Sequence, residues 1–88
     1  MYYDVYVLKS LIDGNLYTGY SNDLKKRLLQ HQKGEVRSTK NRRPVIMVYY
    51  QAFISKLHAQ KEERYLKSGG KAKNELKLRI ANSLSLTR

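Results

Sequence analysis

The residues of this chain whose types and spacing could do chemistry are two tyrosines, an arginine with a histidine one helical turn on, and two adjacent glutamates. Tyr6 and Tyr17 flank Asp13-Gly14, a strong signal for a two-residue hairpin turn. Such a turn pairs Ser10 with Tyr17 and Leu8 with Gly19. Side chains alternate along a strand, so Tyr6, Leu8, Ser10, Tyr17 and Gly19 then share one sheet face. Two phenols lie on that face, with a glycine leaving open space between them. A longer turn would move the register, and two ordinary sheet tyrosines are the plain alternative.

Arg27 and His31 stand four residues apart, on one face of a helix. Leu24 and Leu28 fall next to them, so the pair borders the buried stripe instead of facing bulk water. An arginine there can pin a phosphate with its planar fork. A histidine there can hydrogen-bond phosphate or water. A surface arginine beside a boundary histidine explains the same spacing. Glu62 and Glu63 lie between the apolar markers Ala59 and Leu66. A carboxylate near a packing face needs an ionic partner or a cation, and a hard divalent ion such as Mg²⁺ suits it. A salt bridge to one of the many lysines would serve as well. Helix geometry does not choose between the two glutamates.

These groups need a frame. Tyr2 to Lys9 reads as a strand and Asn15 to Tyr20 as its return strand. Ser21-Asn22-Asp23 offers N-cap residues for a helix from Leu24 to Lys33, and Gly34 suits its C-terminal stop. Glu35 to Arg43 reads as a basic loop carrying Arg37, Lys40, Arg42 and Arg43. Pro44 opens a third strand, Val45 to Ile54, apolar on both parities as a well-covered strand should be. Ser55 can cap a helix from Lys56 to Lys67, and Ser68-Gly69-Gly70 ends it. Leu76 and Ile80 mark a third helix, Lys73 to Asn82. The order ββαβαα predicts an α+β fold, a three-stranded, mainly antiparallel sheet flanked by three helices. Residues 1–82 form the expected domain and 83–88 a short frayed tail.

Composition sets the class of partner. Eighteen Lys and Arg against seven Asp and Glu give a net charge of +11. In 88 residues, such an excess favours a polyanion, and nucleic acid first, because each neutralised phosphate releases counterions. There are no cysteines, hence no disulfide and no thiolate metal site. No Gly-rich phosphate loop, zinc-ligand spacing or serine elbow is present. No apolar run approaches the ~20 residues of a membrane span. The expectation is a cytoplasmic protein without membrane contact.

Taken together, these residues resemble the GIY-YIG nuclease superfamily over about Tyr2 to Asn82. Asp4-Val5-Tyr6 stands at the first motif and Tyr17-Thr18-Gly19 at the second. Arg27 follows Gly19 by eight residues, as the family arginine does, and His31 stands where the family places a His or Tyr. Ala59 to Lys67 resembles the acidic helix, whose glutamate precedes a Leu by three and a Lys by four. That register picks Glu63. The resemblance is to the stand-alone bacterial subgroup, which is similar to the N-terminal nuclease domain of the bacterial excision-repair nuclease. Asp4 replaces the first-motif glycine, and Tyr20 takes a position where some relatives carry lysine. The family asparagine of the last helix falls near Asn74, about one residue out of register.

The resemblance implies a metal-dependent endonuclease acting on DNA in preference to RNA, structure-selective and repair-related. It implies one divalent ion, Mg²⁺ or Mn²⁺, held by Glu63. Arg27 would clamp the phosphate, and Tyr6 or Tyr17, with His31 assisting, would take a proton from water. Products would carry a 5′-phosphate and a 3′-hydroxyl. Gly19, Arg37, Lys40, Arg42, Arg43 and Asn74 are the expected nucleic-acid contacts. No appended recognition domain is expected, so a monomer should be weakly selective, for branched or flapped structure, or should rely on a recruiting protein partner. The rival reading is a basic module that binds nucleic acid without cutting it, its tyrosines stacking on bases.

Overall fold

The computed structural model describes residues 2–69 together with Asn74, Glu75, Lys77 and Leu78. Three strands, β1 (Tyr3–Ser10), β2 (Leu16–Ser21) and β3 (Val45–Phe53), form one sheet in the order β2-β1-β3, both pairings antiparallel. Helix α1 (Leu24–Gln32) follows β2, and α2 (Lys56–Lys67) follows β3. A short 3-10 helix, Lys40–Arg42, interrupts the segment read from sequence as plain loop. Asn74, Glu75, Lys77 and Leu78 have helical backbone. The rest of the expected third helix, and the tail at 83–88, lie outside the described residues. Among the described residues no helix is long and apolar enough to cross a membrane.

The hairpin corrects one expectation. Tyr6 pairs with Gly19 and Leu8 with Tyr17, not Ser10 with Tyr17. The connection is four residues, Leu11 to Gly14, closed by Ser10 N–H to Asn15 O at 3.0 Å and Gly14 N–H to Ser10 O at 2.9 Å. Ser10 Oγ accepts from Ile12 N–H at 3.1 Å, and Asp13 Oδ1 from Asn15 N–H at 2.9 Å. These side-chain bonds stabilise the wider loop over a two-residue turn. Gly14, at φ +72°, supplies its left-handed residue. The register moves by two residues, so each side chain keeps its face.

The alternation splits the core in two. Val5 and Val7 face Ala59 and Leu66 of α2, while Tyr6 and Leu8 face Leu24 and Leu28 of α1. The sheet therefore lies between its two helices. In β3 the pairing shifts between Val7–Tyr49 and Leu8–Met47, leaving Val48 as an extra residue. Val45 and Met47 face the α1 side, and the bulge leaves Val48 and Tyr49 in succession on the α2 side. Cover on both faces of the sheet accounts for a strand that is apolar on both parities.

Helix ends follow from local chemistry. Asp23 accepts from Lys26 N–H at 3.1 Å and Ser55 from His58 N–H at 3.3 Å. At the end of α1, Glu35 N–H reaches Gln30 O at 2.9 Å and Gly34 adopts φ +77°.

Candidate active site

The α1 face of the hairpin carries the site. Tyr6 is 1 % exposed and His31 is fully buried. Tyr6 Oη and His31 Nε2 lie 2.8 Å apart. On the far side of the ring, His31 Nδ1 lies 2.7 Å from Thr39 Oγ1, itself buried. Tyr6 and Tyr17 both meet the imidazole edge-on, with centroids at 5.6 and 5.4 Å. The histidine expected at the border of the buried stripe is thus the centre of a buried hydrogen-bonded chain.

Gly19 makes this possible. It sits opposite Tyr6 across the hairpin, and a Cβ there would overlap the Tyr6 ring and hydroxyl. The second-motif glycine is therefore the floor on which the first-motif tyrosine rests.

Arg27 stands at the rim. The neighbouring phenols, chiefly Tyr6, hold its guanidinium pKa above the usual value. Arg27 Nη1 also donates to Gln30 Oε1 at 3.2 Å. Burial raises the Tyr6 pKa; the neighbouring Arg27 opposes this, while the charge of Glu63 adds to it. Burial, with the Arg27 charge, lowers His31 to about 4. The imidazole is therefore neutral at pH 7 and cannot act as an acid there.

A cleft of about 630 Å³ opens beside these groups, lined by Tyr17, Arg27, Glu35, Val36, Arg37 and Ser38. Tyr17 is the phenol that faces it, while Tyr6 lies behind. Glu63 lies on α2, close enough for its charge to act on Tyr6. It shares a hollow of about 330 Å³ with Gln60 and Arg64. Its carboxylate is partly exposed and takes an ion pair from Lys67 at 2.9 Å. Among the described residues, no three His, Cys, Asp or Glu side chains gather into a metal cage. One partly exposed carboxylate in an open hollow still fits a hard ion that keeps most of its waters and borrows phosphate oxygens.

The remaining expected contacts are spread. Arg37 lines the cleft, and Lys40 and Arg42 are exposed on the same loop. Arg43 is a tether instead: its guanidinium donates to Lys40 O at 3.0 Å and Gln32 O at 3.4 Å and lies over Gly34. Asn74 is exposed on helical backbone.

The GIY-YIG catalytic-domain model matches residues 2–77. The chain belongs to the GIY-YIG nuclease family. It is 43 % identical over 72 residues to a UPF0213 protein of Bacillus pumilus, covering 81 % of this chain and 72 % of that one. To a UPF0213 protein of Staphylococcus saprophyticus it is 43 % identical over 75 residues, covering 84 % and 89 %. The solution NMR structure of a UPF0213 protein from Bacillus halodurans superposes with a TM-score of 0.58 at 33 % identity, covering 91 % and 85 %. The matched residues 2–77 take in both motif stretches, the Arg27–His31 helix and the Glu63 helix.

Thr39 is the residue of this site that sequence reasoning missed. A single threonine in a charged loop has no periodicity to betray it. Val36, an apolar residue among charged ones, was the available sign that this loop is anchored inward, and it is buried.

Proposed function

We propose that the chain is a metal-dependent endonuclease that hydrolyses phosphodiester bonds in DNA, acting on branched or flapped repair intermediates. The observation that carries this reading is the convergence of Tyr17, Arg27 and Arg37 on one cleft, backed by Tyr6 and His31. Arg27 is placed to hold a phosphate and to stabilise the charge that develops on it. Tyr17, the phenol in the cleft wall, takes the proton of the attacking water. Tyr6, packed on Gly19 and bonded to His31, fixes the geometry behind it. Glu63 would hold the divalent ion, releasing Lys67; that ion supplies Lewis-acid stabilisation of the phosphate and leaving oxygen. Arg37, Lys40 and Arg42 position the backbone without reading sequence.

The test uses labelled duplex, flapped and branched DNA, and RNA, with Mg²⁺ or Mn²⁺ against EDTA. Cleavage of DNA is expected with metal only, and Glu63→Gln, Arg27→Ala and Tyr17→Phe should each lower it ~100-fold or more. Glu63→Gln should keep DNA binding. Tight binding with no cutting of any substrate in either metal would leave the non-catalytic binding module as the better account.

A further inference from the structure

Thr39 offers one hydroxyl hydrogen, and among the described residues its Oγ1 has one hydrogen-bond partner, His31 Nδ1 at 2.7 Å. Neutral imidazole carries hydrogen on one nitrogen and a lone pair on the other, so two arrangements compete. In the first, Nδ1–H donates to Thr39. The threonine hydrogen is then left without an acceptor at a residue only 1 % exposed, which is costly. In the second, Thr39 O–H donates to Nδ1, and Nε2–H donates to Tyr6 Oη across 2.8 Å. Both ring nitrogens and the threonine are then satisfied. The one hydrogen left to place belongs to Tyr6, which is as buried as Thr39 but packs against Tyr17, a phenol of the cleft wall whose oxygen can accept it.

We propose that Thr39 is a positioning residue whose hydroxyl holds His31 as the Nε2–H tautomer, so that the histidine donates to Tyr6. The Tyr6 oxygen then receives a hydrogen bond from His31 and keeps its remaining lone pair for the neighbouring Arg27 guanidinium. Its own hydrogen turns away from the histidine toward Tyr17. Arg27 is anchored by an oxygen that cannot swing away. In the opposite tautomer the Tyr6 hydrogen is spent on Nε2, and no histidine donor holds that oxygen. Thr39 also belongs to the loop that carries Arg37, Lys40 and Arg42. The same residue therefore couples the basic loop to the phosphate-facing arginine.

The tautomer can be measured without any cleavage. Long-range ¹H–¹⁵N correlation spectra of the ¹⁵N-labelled chain at pH 7 should show His31 protonated on Nε2 and bare on Nδ1. Thr39→Ser, which keeps the hydroxyl, should give the same pattern. Thr39→Val, of the same shape without the hydroxyl, should lose it. The effect on cutting rests on the nuclease reading above. There, Thr39→Val should lower turnover by about 10- to 100-fold, the scale seen when a partner that orients a histidine is removed. DNA affinity should stay within about 2-fold, and Thr39→Ser should restore turnover. A wild-type spectrum with hydrogen on Nδ1 overturns the proposal, whether or not DNA is cut. So does a Thr39→Val protein with unchanged tautomer and turnover. If Thr39→Val does not fold, the wild-type and Thr39→Ser spectra decide alone. A wild-type chain that cuts no substrate would sink the nuclease reading and leave the tautomer assignment standing.

Discussion

Gly19 and His31 are the two positions where a single atom decides the site. Adding one methyl at Gly19 drives into the Tyr6 ring, and a packed core answers such overlap by shifting the larger side chain. Gly19→Ala should therefore cost about 1–3 kcal/mol of stability and break the bond between Tyr6 and His31. Thermal melting and cleavage assays on the same preparation check both effects. His31 makes a prediction in pH. Its folded pKa is lowered to about 4, below the unfolded value of about 6.5. Between these values the unfolded chain binds the extra proton, so stability is full above about 6.5 and falls as pH drops toward 4. The melting temperature of wild type should decline over that window more steeply than that of His31→Phe, whose ring cannot be protonated. Equal slopes would mean that the imidazole is charged in the folded state. Tyr6, Tyr17, Arg27 and His31 were legible in the sequence because strand and helix periods dictate which side chains meet. Thr39 was not, because the path of a loop is set by contacts distant in the chain: Val36 packing inward, and Ser10 Oγ donating to Arg42 O at 2.8 Å.

At the level of elements, the strands and helices follow the sequence closely. The second helix spans Lys56–Lys67, the range its pattern predicts, and α1 starts at Leu24 behind its Asp23 cap. The hairpin departed from expectation because Ser10 and Asp13 bond the backbone of a wider loop, which no two-residue signal foretells. The face assignment survived because the register moved by an even number of residues. In the basic loop, the contrast between Arg37 and Arg43 can be tested directly. Arg37 lines the cleft, while Arg43 ties the loop to the end of α1. Arg37→Ala should weaken DNA binding and leave the melting temperature within about 2 °C, as for surface substitutions. Arg43→Ala should lower the melting temperature more than it lowers affinity. Titrations and melting curves of the two variants separate tether from contact.

For the whole molecule, charge and cooperativity are the governing quantities. A net charge of +11 is far more than folding requires, and it should appear as a steep fall of DNA affinity with salt. Removing any one of Arg37, Lys40 or Arg42 should flatten the plot of log K against log salt by about one unit if that side chain meets a phosphate. An unchanged slope would remove that residue from the interface. The position of β1 has a wider effect. This strand is hydrogen-bonded on both sides and carries Tyr6 between its two neighbours. Its amides should exchange with solvent only through global opening of the chain, while those of the outer strands can exchange through fraying. No partial unfolding that spares the fold can then release Tyr6. Heat inactivation and loss of tertiary structure should follow a single curve, with no temperature at which the chain is folded but its central phenol is displaced.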